Sequence, residues 1–182
     1  MVTDARSLAC RSALLALLVV VMVPAASASA ACRGASLAPG QGKASTARTA
    51  VVCLINQERA RRGLRRLRVS RVLGRAAVRH SSDMVRRNYF AHVSPGGADV
   101  MDRIRATGLA LASSRVVVAE NIAWGSGHIG TPRAIVRTWM RSPGHRANIL
   151  RRGLRRIGVG AAAGAPQGVS GAARTFTANF AS

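Results

Sequence analysis

The stretch Arg115-Val116-Val117-Val118-Ala119-Glu120-Asn121-Ile122-Ala123 decides how this chain is read. Three consecutive valines predict a strand over Arg115 to Ala119 that delivers Glu120 at its end. Glu120 is the last acidic residue of a chain with 28 lysines and arginines against 6 aspartates and glutamates. A carboxylate set among so much positive charge needs a reason. On either side lies a polar cluster with one histidine: Tyr89 to Pro95 holds His92, and Trp139 to Arg146 holds His145. Two imidazoles and a carboxylate from three segments are candidates for one site.

Working outward, Ser45 or Thr46 can cap a helix running to about Arg62, with Val51, Val52, Ile55 and Arg59 on one face. Gly63 ends it, and Leu64 and Leu67 anchor the connector. Ser70 caps a second helix to about Asn88, whose Leu73, Ala77, His80 and Met84 share a face. His80 is therefore expected as a hydrogen-bonded core residue. Gly74 within that helix costs roughly 1 kcal/mol against alanine and points to close backbone packing.

Asp99 to Thr107 reads as a short helix ended by Gly108, and Leu109 to Ser114 carries no clear pattern. After Glu120, Gly125 to His128 reads as a loop. Thr131-Pro132 then gives the strongest helix start in the chain, a capping hydroxyl followed by proline. That helix carries Trp139 on its apolar side until Ser142-Pro143-Gly144 interrupts it, and His145 to Leu150 forms a further helical turn. Ile157 to Ala163 and the alternating Thr175 to Phe180 make an antiparallel hairpin. Helices first and strands last give an α+β domain with helices packed on a sheet.

The ends bound the class. Residues 1–30 combine Arg6 and Arg11, an apolar run from Ser12 to Val23, and the small residues Ala28-Ser29-Ala30. This is the pattern of a cleaved secretory signal, and the run is too short to span a bilayer. Residues 31–45, with Pro39, Gly40 and Gly42, read as a flexible arm, leaving 46–182 as the domain. Cys32 and Cys53 make an even pair that forms one disulfide in an exported chain. A second expectation is a lipid anchor on Cys32, which follows two alanines. The formal charge of +22 suits an anionic partner such as a wall polymer or lipid. The arginines are scattered, with few aromatics for bases to stack on, so nucleic acid is not expected as a partner. No membrane span is expected after the signal, and a monomer is.

The chemistry is carried by His92, Glu120 and His145, a set that suits a divalent metal such as zinc or proton transfer near neutral pH. A structural hydrogen-bond network fits the same residues. There is no His-Glu-x-x-His, Gly-x-Ser-x-Gly or phosphate-binding glycine loop.

The motifs Asn56-x-x-Arg59, His80-Ser81-x-Asp83-Met84 and Asn88-x-Phe90-x-His92-x-Ser94-Pro95 are followed by Ala119-Glu120-Asn121-Ile122-Ala123 and Trp139-Met140-x-Ser142-Pro143-Gly144-His145-Arg146-x-Asn148-Ile149-Leu150. Taken in order, they resemble the bacterial branch of the CAP superfamily, also called the SCP domain. Ile157-Gly158-Val159-Gly160 and Phe176-Thr177-x-Asn179-Phe180 resemble its last strands. The resemblance spans about Ala47 to Phe180.

It implies an α-β-α sandwich with an antiparallel central sheet between helical layers. It also implies a cleft lined by two histidines and two acidic residues. His92 matches the first histidine, Glu120 the first glutamate, and His145 stands for the second histidine. Ser142 lies where the second glutamate is expected, and no acid follows Glu120. Asn121 is expected to brace the bend at the strand end.

Family members bind sterols, fatty acids and other lipids or engage proteins, and share no single reaction. The expectation is a secreted, non-catalytic binding module for a lipid, a cell-wall component or a protein. The alternative is a zinc-dependent hydrolase or peptidase on His92, Glu120 and His145.

Overall fold

The structure, a computed structural model, describes residues 31–108, 116–169 and 171–182. The secretory-signal reading, the unassigned Leu109 to Ser114 and the first residue of the valine strand lie outside these residues. Helices α1 (Ala44–Ala60), α2 (Arg71–Arg86) and α3 (Val100–Arg105) precede the long strand, with the two-residue β1 (Arg68–Val69) between α1 and α2. Strand β2 (Val118–Ser126) leads through a 3-10 turn at Gly127–Gly130 into α4 (Pro132–Arg141) and α5 (Pro143–Leu150). Strands β3 (Arg156–Ala163) and β4 (Ala173–Ala181) close the chain.

The four strands lie in the order β1-β3-β4-β2. β3–β4 and β4–β2 are antiparallel, while β1 joins β3 in parallel, so the sheet is mixed at one edge rather than antiparallel throughout. α1, α4 and α5 pack on one face, and α2 with α3 on the other. This is the expected α-β-α sandwich.

Side-chain alternation assigns the two faces. Phe176, Ala178 and Phe180 of β4, with Ile157, Val159 and Ala161 of β3, build the main core against α1, α4 and α5. The opposite face carries Thr175, Thr177 and Asn179, which an alternating pattern would place in water. All three are fully buried under α2. Ser81 Oγ meets Thr177 Oγ1 at 2.9 Å, and Asn179 Nδ2 reaches the Leu73 carbonyl at 3.5 Å.

Two glycines allow that helix so close. A Cβ on Gly158 would fall 2.1 Å from the Gly74 nitrogen, and one on Gly160 2.2 Å from the Ala77 carbonyl carbon. The tight packing expected at Gly74 is real, but the missing side chains it needs are those of β3. A Cβ on Gly74 itself would meet nothing within 4 Å.

Several starts and stops agree with the sequence. The Ser70 and Thr131 hydroxyls accept from the Leu73 and Ala134 amides. Asp99 and Asp102 form a reciprocal cap on α3. α1 departs from expectation: it begins at Ala44 after Lys43, with no side-chain cap. β2 also runs on to Ser126 through the expected loop, because every residue from Val118 to Ser126 pairs with β4.

The N-terminal arm is held to the domain instead of hanging free. Cys32 and Cys53 form a disulfide, and the Ala35 carbonyl accepts from the Arg133 amide at 2.9 Å. Arg174 Nη2 donates to the Gln41 carbonyl at 3.1 Å. With its sulfur in the disulfide, Cys32 cannot also carry a lipid thioether.

Candidate functional site

β2 is an edge strand, and consecutive residues on it face opposite layers. Glu120 lies opposite Asn179 and so faces the α2–α3 layer. Asn121 lies opposite Ala178 and faces α5. The site is built around this edge, with part of it on each face.

On the first face the Glu120 carboxylate is almost wholly buried, its side chain 2% exposed. Arg103 of α3 reaches both of its oxygens through one nitrogen, at 3.0 and 2.9 Å. His92 Nδ1 stands 2.9 Å from Oε1. Because a carboxylate only accepts, Nδ1 carries the proton and the outward Nε2 of a neutral His92 is a lone-pair acceptor. The His92 side chain is 55% exposed.

His80 Nε2 lies 3.7 Å from the same Oε1 and 3.1 Å from the Ala91 carbonyl, which it serves as donor. The Tyr89 hydroxyl stands 3.3 Å from His80 Nδ1 and donates to Asp83 Oδ2 at 2.8 Å. Burial is the largest influence on His80 and holds its pKa below the usual histidine value; the Glu120 charge opposes the shift and Arg103 adds to it. His80 is a core histidine, as expected, and it is also packed beneath the site. Tyr89 braces that ring, whereas Phe90 is exposed.

On the second face Asn121 is fully buried in mid-strand rather than bracing a bend. Its Nδ2 donates to the His145 carbonyl at 3.0 Å, and its Oδ1 accepts from Asn148 Nδ2 at 2.9 Å. Asn148 also reaches the Glu120 carbonyl at 3.3 Å, and Trp139 Nε1 donates to the Ile122 carbonyl at 3.1 Å. These two side chains cap outward carbonyls of the edge strand and exclude a further strand there.

His145 sits half-buried, its Nδ1 2.9 Å from Ser142 Oγ. Burial, with a smaller contribution from His92, lowers its pKa. Arg59 fixes α5 from below. It is fully buried and donates to the carbonyls of Arg65, Ile149 and Arg151 at 2.8, 2.7 and 3.1 Å.

The structure thus joins His92 to Glu120 directly. It ties the His145 backbone to the same edge through Asn121, while the His145 ring meets Ser142; among the described residues no hydrogen bond or ion pair joins His145 to Glu120. Among the described residues, no group of three His, Cys, Asp or Glu side chains is arranged to hold a metal. Sequence reading missed Arg103 and the nearness of His80. A buried carboxylate demands a cation, but nothing in the sequence separates Arg103 from the many other arginines. His80 announces itself only by sharing a short motif with Asp83.

Among the described residues, no helix is long and apolar enough to cross a membrane. The sequence matches the cysteine-rich secretory protein family, CAP, over residues 52–180. It is similar to YkwD of Bacillus subtilis (strain 168), 39% identical over 110 residues, which are 60% of this chain and 40% of YkwD. It is also similar to the membrane protein YlbC of that organism, 31% identical over 115 residues, 63% of this chain and 31% of YlbC. The match therefore spans less than half the length of either relative.

Among solved structures, an extracellular protein containing an SCP domain from Bacillus anthracis aligns with a TM-score of 0.59 at 26% identity, over 78% of this chain and 44% of that one. An outer surface protein of Borrelia burgdorferi aligns with a TM-score of 0.56 at 17% identity, over 72% of this chain and 88% of that one. At that identity the second likeness shows the fold alone. The motifs, the sandwich and the matched span agree: this chain belongs to the cysteine-rich secretory protein (CAP) family.

Proposed function

We propose that this protein is an exported binding module whose cleft, at the edge of β2, recognises an anionic cell-wall polymer without transforming it. The observation that carries this reading is the state of Glu120. Its carboxylate is buried and engaged by Arg103 and His92, while the His92 ring that it orients stays exposed. An acid so engaged serves as an anchor. The groups turned outward are His92 Nε2, which accepts from a hydroxyl, and the His145 imidazole with Ser142 beside it, whose hydroxyl can donate to hydroxyl or phosphate oxygens. The excess of arginine supplies long-range attraction. The disulfide and the extracellular character of the B. anthracis neighbour support export.

The zinc alternative requires His92, Glu120 and His145 to act together. Two observations weigh against the fit: Arg103 already neutralises the carboxylate, and Ser142 gives no second acid for proton transfer. Two imidazoles alone fall short of the three protein ligands usual for catalytic zinc.

Co-sedimentation with purified bacterial cell walls tests the reading. Binding is expected to fall by roughly tenfold between low and high salt, as screening of phosphate contacts requires. A His92→Ala, His145→Ala double variant is expected to bind about tenfold more weakly while keeping its melting temperature within a few degrees. Unchanged binding by that variant, or release of soluble wall fragments by the wild type, contradicts the proposal. Co-sedimentation with anionic vesicles in place of walls would point to a lipid and contradict it equally.

A further inference from the structure

The two edges of the sheet are treated differently. Side chains of Trp139 and Asn148 cap β2, whereas β1 pairs with β3 only at Arg156 and Ile157 before turning into α2 at Ser70. Among the described residues, no strand lies on the outer side of β3 from Gly158 to Ala163. At the point where β1 leaves, a groove of 640 Å³ runs between α1 and α2, with Gly158 and Val159 in its lining. None of the cleft's side chains lines it. Val52, Val69, Val78 and Val159 make it apolar, and Val69 is 69% exposed at its mouth. Arg48 stands on the α1 wall and Arg71, Arg75 and Arg79 on the α2 wall, with no acid among the lining residues. Gly74 keeps it open, since its missing side chain would point into empty space.

We propose that this groove docks an extended, acidic segment of a partner protein, which adds as a strand beside β3. Three considerations select that occupant. An added strand can use the backbone groups of β3 beyond Ile157, as an acyl chain cannot. Successive side chains of such a strand point alternately towards the α1 and α2 walls, each of which offers valine and arginine. A second copy of this chain is disfavoured by charge, because both partners would bring a formal +22 to the contact. The occupant must therefore carry both apolar and acidic side chains on each of its two faces. This proposal is independent of the cleft reading.

Fluorescence anisotropy with a labelled eight-residue peptide of repeating Val-Val-Glu-Glu, which presents both residue types to each wall, tests it on the whole protein. Saturable binding is expected, weakened at least tenfold by Gly74→Leu, which fills the groove. The surface pair Arg48→Glu, Arg71→Glu is expected to weaken it as much without touching the core, so a folding defect in the first variant does not blur the result. Of two peptides N-methylated at alternate residues, the one whose blocked amides face β3 is expected to lose binding and the other to keep it. Absence of saturable binding, or parental affinity in both methylated peptides, overturns the proposal. So does binding of phosphatidylglycerol vesicles that is sensitive to Gly74→Leu while the peptide is not bound.

Discussion

Arg103 decides the character of Glu120. Removing one partner of a buried ion pair leaves the other charge desolvated, which costs roughly 3–5 kcal/mol. Arg103→Ala is therefore expected to lower stability by about 3 kcal/mol in denaturant melts, and NMR titration should show the pKa of His80 rising once the nearby cation is gone. His80 and His145 both have lowered pKa values in the folded protein, so the unfolded chain takes up protons first as pH falls. Their contribution to stability is whole above the ordinary histidine value of about 6.5 and is lost as pH falls towards the lowered folded values. The melting temperature should drop between pH 7.5 and 5.5, and less so in His80→Phe. A flat or rising profile would contradict the burial assigned to these rings.

At the scale of elements, positioning depends on what two layers do to one strand. The valines signalled a strand near Glu120, but the expected span overlaps β2 only at Val118 and Ala119, Glu120 lies within β2 rather than at its end, and neither its length nor its two faces could be read. Its continuation through Gly125 and Ser126 comes from the β4 ladder, a long-range pairing that local turn residues conceal. The burial of Thr175, Thr177 and Asn179 was hidden in the same way, since only α2 lying over them makes polar residues internal. The caps at Ser70, Asp99 and Thr131 were legible because the chemistry that makes them is local. Gly160→Ala tests the α2 contact. Its Cβ would overlap the Ala77 carbonyl, so a loss of about 3 kcal/mol is expected, at the upper end of overpacking costs. Asn121→Ala tests the other face, where unpairing the His145 carbonyl and Asn148 should cost about 2 kcal/mol and free α5 to exchange its amides faster.

For the whole molecule, the arm, the disulfide and the sandwich form one unit around the β2 edge. The Cys32–Cys53 bridge closes a loop of 21 residues, for which chain entropy gives about 3 kcal/mol. Cys32→Ala, Cys53→Ala is expected to lose that much stability while keeping the fold. The central claim is that the cleft carboxylate is an anchor held by Arg103 and not a metal ligand. Isothermal titration of zinc into the wild type, Arg103→Ala and Glu120→Gln tests it most directly. Weak binding by the wild type is expected, unchanged in Glu120→Gln and at least tenfold tighter once Arg103→Ala frees the carboxylate. Tight binding by the wild type that Glu120→Gln abolishes would contradict it.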